Sequence, residues 1–288
     1  MQQSMLSAVF LPLALAVIML GLGLSLTPAD FRRVVQYPRA VAVGLLCQTV
    51  LLPIVAFLIA RAAGLSPPLA VGLMLLAASP GGATANLFSH LAKGDVALNI
   101  TLTAVNGVLA LLTLPLIVNA SLEAFFGAGR AIPMPVDKTV QVFAVVLIPV
   151  GIGMLIRAKR PDTAQRLDKP VRSLSAVFLV LVILLSVLKE RANLGGFFRE
   201  VGLAALAFNL ASLAVGYAVP RLAKLPTKQA TAIGMEIGIH NGTLAIAIAH
   251  TVLNDSRMSI PPAIYSLIMF FTAAAFGAWA ARQNAAEA

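Results

Sequence analysis

MEIGIHNGT, residues 235–243, decides how the chain is read, because its Glu236 is the only acidic residue inside any long apolar run. The other acidic residues lie in polar segments between runs or at the end of the chain. A carboxylate at the centre of a bilayer costs about 3 kcal/mol or more and marks a functional site by default. Gly238, His240, Asn241 and Gly242 follow within a few residues. The run therefore reads as a helix with a polar interruption at mid-span.

Around that stretch the chain is 59% hydrophobic and 11% charged, with a mean hydropathy of +0.93. Those values describe a polytopic membrane protein whose solvent is mostly the lipid bilayer. The net charge of +10 does not indicate nucleic acid, since the Lys and Arg residues are scattered in short segments between runs and form no basic helix. Membrane topology accounts for it better. Cys47, the single cysteine, lies in an apolar run, which excludes an intramolecular disulfide and leaves it a small buried hydrophobe. The N-terminal MQQSMLSAVFLPLALAVIMLGLGLSLTP lacks a basic n-region and its apolar part is too long for a signal peptide. It is expected to form the first transmembrane helix.

A helical span needs about 20 apolar residues. Nine stretches qualify, at roughly 5–26, 40–60, 68–91, 96–119, 139–157, 173–190, 200–219, 229–252 and 260–281. Of the 21 Lys and Arg residues, fourteen fall on one side of such an arrangement and seven, including Arg130 and Arg191, on the other. By the positive-inside rule the N-terminus is outside and the C-terminus cytoplasmic. The segment RAKRPDTAQRLDKPVR, read as a polar loop, supplies six of the fourteen.

The third and eighth stretches both carry breakers at mid-span, Pro80-Gly81-Gly82 and His240-Asn241-Gly242. An offset of about 160 residues superposes Gly82 on Gly242, with corresponding spans five apart in order. An odd separation reverses membrane orientation, the signature of an inverted repeat. On that count the chain is one helix short at its start. Proline lacks an N–H and clashes with the preceding turn, and backbone freed in this way is tolerated in a membrane only where it lines a cavity or is buried in protein. Paired breaks point to a transport site.

Oxygen-bearing side chains surround the breaks: Gln48, Thr84, Asn86, Asn99, Thr103, Asn106, Asn209, Glu236 and Asn241, with His240 among them. Asn99, Thr103 and Asn106 share one helix face. Such a set suits a hard cation with Glu236 as counter-charge. Plainer roles stay open: amides and hydroxyls also join membrane helices, and Gly234, Gly238 and Gly242 could be only a close-packing face. No HExxH, GxSxG or Cys-His arrangement occurs, so an enzyme is not expected.

The segments SPGGATANLFSHLAKGDVALNITLT, 79–103, and EIGIHNGTLAIAIA, 236–249, with LSLTPADF at the end of the first span, resemble the signature regions of the bile acid:sodium symporter family. The resemblance implies an all-α fold of inverted repeats, truncated over 5–119 and complete over 139–281. The first helix of the ten-helix form would be absent, and two broken helices would cross. A panel domain would comprise about 5–26, 139–157 and 173–190, and a core domain about 40–60, 68–119 and 200–281, in one transporter unit. The implied location is a bacterial inner membrane.

The resemblance further implies sodium as the coupling ion and an organic anion as substrate, moved by alternating access. One sodium would be held by Ala85, Asn86, Asn99, Thr103 and Glu236. A second would be held by Gln48, Glu236, Ile237, Ile239 and His240. Three positions depart from the family pattern. Ala85 stands where bacterial relatives carry Ser, with Thr84 beside it; Asn99 replaces a Ser and keeps an oxygen; and His240 replaces a Gln. Histidine is a poor sodium ligand that titrates near physiological pH, so the second site is expected to be weakened or replaced by protonation. Ala83, Thr84, Asn209 and Asn241 are the implied substrate contacts. Met269 and Phe270, where several relatives are polar, imply a more hydrophobic ligand. Alternatives are a proton-coupled or sodium-independent carrier and a non-transporting membrane ligand sensor.

Overall fold

The computed structural model describes residues 11–127, 136–189 and 194–286. Residues 5–10 of the first stretch, residue 190 of the sixth, Arg130 and Arg191 lie outside them. Among the described residues the chain is helical, and its only strand-like pairing is a single bridge between Gly81 and His240.

The first stretch forms α1 (Leu11–Ser25), and a second helix not foreseen from the sequence, α2 (Pro28–Gln36), leaves it at 62°. Pro28 starts α2 because a proline's fixed φ suits a first turn. Asp30 anchors that turn by accepting from the backbone N–H and hydroxyl of Thr27 at 2.6 and 2.7 Å. The second stretch is α3 (Pro38–Leu46) and α4 (Leu52–Ala62), joined by a π-turn over Cys47–Leu51. Pro53 has no N–H to give the carbonyl four residues back, and the wider turn absorbs the defect. Gln48 sits in that turn, buried.

The third and eighth stretches each split into two short helices. The third gives α5 (Pro67–Ala78) and α6 (Ala83–Leu91). Next come α7 (Val96–Phe126), α8 (Val136–Lys159), α9 (Pro161–Lys189) and α10 (Leu194–Leu222). The eighth stretch gives α11 (Thr227–Gly238) and α12 (Gly242–Thr251), and a 3-10 turn at Ser256–Ser259 leads into α13 (Ile260–Ala286). The polar segment at 157–172 is no loop. Only Arg160 interrupts it, because Pro161 can open α9 and the residues after it are good helix formers.

Among the described residues four helices are long and apolar enough to cross a membrane, and the bent pair of α1 and α2 makes up to five. The burial pattern is that of a protein in lipid. Leu112 and Leu116, one turn apart on α7, are each 69% exposed, while Asn99, Thr103, Asn106, Asn209, Glu236 and His240 are buried. Helices α1, α8 and α9 pack on one another, with α1 and α8 in backbone contact at Gly23 and Gly153. A β-carbon at Gly23 would stand 2.2 Å from the Val150 carbonyl oxygen. A second group forms where α10 packs on α11 and α13, α5 on α4 and α7, and α11 on α6 and α7.

Candidate functional site

The two breaks meet in the interior and complete each other's backbone. The Gly82 N–H donates to the Ile239 carbonyl at 3.2 Å, and the Asn241 N–H donates to the Pro80 carbonyl at 2.8 Å. Side chains satisfy carbonyls left at the ends of α5 and α11. Gln48 Nε2 donates to Ala77 and Ser79 at 3.0 and 3.1 Å. Asn209 Nδ2 and the Tyr265 hydroxyl donate to Gly238 at 3.1 and 2.9 Å. His240 Nδ1 lies 3.0 Å from the Ser79 carbonyl. A carbonyl only accepts, so Nδ1 carries the hydrogen of the neutral ring and Nε2 keeps a lone pair. Phe208 stacks on that ring at 5.7 Å, and Tyr265 flanks it at 5.4 Å.

Glu236 is fully buried beside this crossing. Its Oε2 accepts from Thr103 Oγ1 at 2.6 Å, and its Oε1 has no partner at full hydrogen-bond geometry, although the Asn106 side chain and the Gly81 backbone lie toward the carboxyl group. Gly81 lies against it: a β-carbon there would stand 2.4 Å from the carboxyl carbon and from Oε1. Asn99 Nδ2 donates to the Ala232 carbonyl at 2.7 Å, which leaves Asn99 Oδ1 unpartnered. The side-chain oxygen of Asn86 and both polar side-chain atoms of Asn106 are likewise buried without a partner. Buried acceptors in this condition are uncommon and call for an occupant. A hard cation suits them, because they are oxygens and one belongs to a carboxylate.

Thr103, within hydrogen-bond distance of Glu236 and of the Asn99 carbonyl, and the unpartnered oxygens of Asn99 and Asn86 are of the kind a sodium ion takes, with Ala85 able to offer only its backbone. The second set fits less well. Gln48 Oε1 is unpartnered, but the Ile239 carbonyl already accepts from Gly82, and His240 offers a nitrogen in place of an oxygen. The glycine run on α11 and α12 is also a packing face. A β-carbon at Gly238 would meet Leu213 at 2.3 Å, and one at Gly242 would meet Ser266 Oγ at 2.0 Å.

A cavity of about 190 Å³ lies between α1, α2 and α8 on one side and α7, α12 and the first break on the other. Its walls are largely apolar, as at Leu22, Phe31, Val146 and Met154, with Thr103 and Asn241 as polar side chains. It also reaches Pro80 and Gly81. Both α6 and α12 begin at the crossing, after Gly82 and Asn241, and bring the positive ends of their dipoles to it. Asn241 Oδ1 accepts from the Leu244 N–H at 3.0 Å, so the amide hydrogens are what this side chain has left to offer a ligand.

Several residues named as substrate contacts take other positions. Asn209 gives its Nδ2 to Gly238 and accepts from Thr272 at Oδ1. Met269 is in the apolar core, and Phe270 stacks on Phe88 at 6.1 Å. These three and Thr84 do not line the cavity. Packing against neighbouring helices occupies Met269 and Phe270 in this structure. Ala83 is the first residue of α6. Tyr265 and the α1, α2 and α8 side of the cavity were missed. The signal for Tyr265 was available, since a buried tyrosine hydroxyl needs a partner.

A family model described as the Sodium Bile acid symporter family matches residues 12–196. The chain is 33% identical to the P3 protein of Homo sapiens over 213 residues, 74% of this chain and 44% of that protein. It is 32% identical over 264 residues to sodium/bile acid cotransporter 4 of Homo sapiens, covering 91% of this chain and 59% of that one. An uncharacterized sodium-dependent transporter of Bacillus subtilis, YocS, is 26% identical over 258 residues, 90% of this chain and 78% of the relative. The chain thus spans about half the length of the two human relatives. The match extends over half of the chain, and the polar crossing sits in a helical, lipid-exposed body: the chain belongs to the Sodium Bile acid symporter family, a family of membrane transporters and not of enzymes.

Proposed function

We propose that this chain is a sodium-coupled symporter of a small organic anion that works by alternating access. The observation that carries this reading is the sharing of residues between cavity and cation set. Thr103 and Gly81 line the cavity and also touch Glu236. A sodium ion bound by Asn86, Asn99, Thr103 and Glu236 neutralises the carboxylate and stiffens the wall against which the anion rests. Each ligand thereby favours the conformation that the other binds, which is what coupling requires.

The anion's charged end rests at the starts of α6 and α12, near the Asn241 amide. Its remainder is apolar and small. Pockets for drug-sized ligands are about 300–1,000 Å³, and the cavity here is about 190 Å³. This size favours a short aliphatic carboxylate over a steroid. Movement is assigned to the α1, α8 and α9 group against the remaining helices, since the cavity lies along their boundary. The chain crosses the membrane nine times in inverted halves, with its N-terminus outside. Equal offsets support the halves: 161 residues separate both the amide donors, Gln48 and Asn209, and the carbonyls they cap, Ala77 and Gly238.

A second reading, a proton-coupled carrier, is favoured by one observation: His240 offers its unpartnered Nε2 where an oxygen ligand is implied. A thermal-shift screen of short carboxylates with sodium or choline separates the two. Stabilisation by a carboxylate that depends on sodium supports symport with sodium. Stabilisation that ignores sodium and changes with pH supports the second reading.

A further inference from the structure

Gly238 is the last residue of α11, and in an uninterrupted helix its carbonyl would accept from the N–H of Gly242. Here the Gly242 N–H donates to His240 instead, at 3.0 Å. The Gly238 carbonyl accepts from two side chains on other helices, Asn209 Nδ2 of α10 at 3.1 Å and the Tyr265 hydroxyl of α13 at 2.9 Å. Both lone pairs are used. A buried carbonyl without partners costs more than a typical hydrogen bond is worth, so these two donors remove the drive for the helix to continue through the break.

The Asn209 amide is itself oriented. The Gly238 carbonyl only accepts and so takes the Nδ2 end of the amide, while Thr272 Oγ1, also 3.2 and 3.0 Å from the Ile268 and Met269 carbonyls, lies against Asn209 Oδ1 at the other end. Thr272 lies two turns beyond Tyr265 on the same face of α13. Helix α13 therefore reaches one carbonyl twice, directly through Tyr265 and indirectly through Thr272 and Asn209. All three residues lie outside the cavity lining, and none is in the proposed cation set.

We infer that Tyr265, with Asn209 and Thr272, is a positioning group that holds the α11 break open and so sets the sodium affinity of Glu236, two residues before Gly238. The inference rests on the proposed sodium coupling. If the clamp is lost, α11 gains a competing arrangement in which the helix continues. The cation-competent state is then less populated, and apparent affinity falls in proportion.

The test uses the purified full chain in detergent with sodium as the only probe, reading thermal stabilisation against choline. Tyr265→Phe and Thr272→Val are each expected to raise the sodium concentration for half-maximal stabilisation roughly 3- to 10-fold, the worth of one hydrogen bond. Thr272→Ser, which keeps the hydroxyl, restores the wild-type value. A role in packing alone lowers the melting temperature equally in both salts and leaves the half-maximal concentration in place, and that result overturns the inference. If Tyr265→Phe does not fold, the Thr272 pair decides by the same readout. A wild-type chain without any sodium response overturns the sodium reading, and the inference with it. A responsive wild type with unmoved variants overturns the inference alone.

Discussion

Thr103 and Glu236 stand 133 residues apart in the chain and share a hydrogen bond of 2.6 Å, Oγ1 to Oε2. The same hydroxyl lies 3.0 Å from the Asn99 carbonyl, but it has one hydrogen, and the carboxylate is the nearer and stronger acceptor. Thr103→Val removes that donor and an oxygen of the cation set. A hydrogen bond to a charged group is worth about 1.5–3 kcal/mol, so the sodium concentration for half-maximal stabilisation should rise about 10-fold or more. Thr103→Ser should keep it. A valine variant with wild-type sodium affinity would place the ion elsewhere.

Gly81 is where the crossing tolerates no side chain. A β-carbon would lie 2.4 Å from the Glu236 carboxyl carbon and 2.7 Å from its backbone oxygen. Overpacking of a buried site costs about 1–3 kcal/mol, and here the atom that must move belongs to the proposed ligand. Gly81→Ala is expected to lose the sodium response and to melt several degrees lower. Sodium titration of a folded variant checks this, and an unchanged response would mean that Glu236 can shift without consequence.

Gly107 makes the opposite case on the same wall. It lines the cavity, and a β-carbon there meets nothing within 4 Å. Gly107→Leu should fold and respond to sodium like the wild type, yet fill the space into which the anion's tail fits. Loss of carboxylate-induced stabilisation, with sodium stabilisation intact, is the expected outcome. Retention of the carboxylate effect would remove this cavity as the substrate site.

His240 replaces an amide oxygen with a ring nitrogen whose partner, Nδ1, is committed to the Ser79 carbonyl. His240→Gln returns an amide oxygen at a position that shares the Ser79 carbonyl with Gln48, whose own Oε1 is unpartnered. The variant is expected to bind sodium with a higher Hill coefficient than the wild type. Identical titrations of the two proteins would show that His240 does not set the cation stoichiometry.

Much of this arrangement is legible in the sequence. Runs of about 20 apolar residues announce helices whatever they pack against, and Pro80-Gly81-Gly82 and His240-Asn241-Gly242 are weak points at which two of them break. Glu236 stands out because a carboxylate is costly in such a run. What escapes the sequence is tertiary. Asn209 reads as one more intramembrane amide until Gly238 and Thr272 are brought to its two ends. The cavity wall from Leu22, Val146 and Met154 is made of the same apolar residues that elsewhere face lipid, so no pattern separates the two. Helix α2 is short and polar, and its only mark is the Thr27-Pro28 start with Asp30 in the first turn. The resemblance to a family supplied the pairing of Asn99 and Thr103 with Glu236, which spacing alone left open.

The central claim is that sodium bound at Glu236 drives movement of a small carboxylate. Its most direct test is uptake into proteoliposomes of a carboxylate that stabilises the protein, with and without an inward sodium gradient, for the wild type and Glu236→Gln. The account predicts sodium-driven accumulation by the wild type and none above the sodium-free level by the variant. Equal sodium-driven accumulation by both, or wild-type accumulation that ignores the gradient, would contradict it.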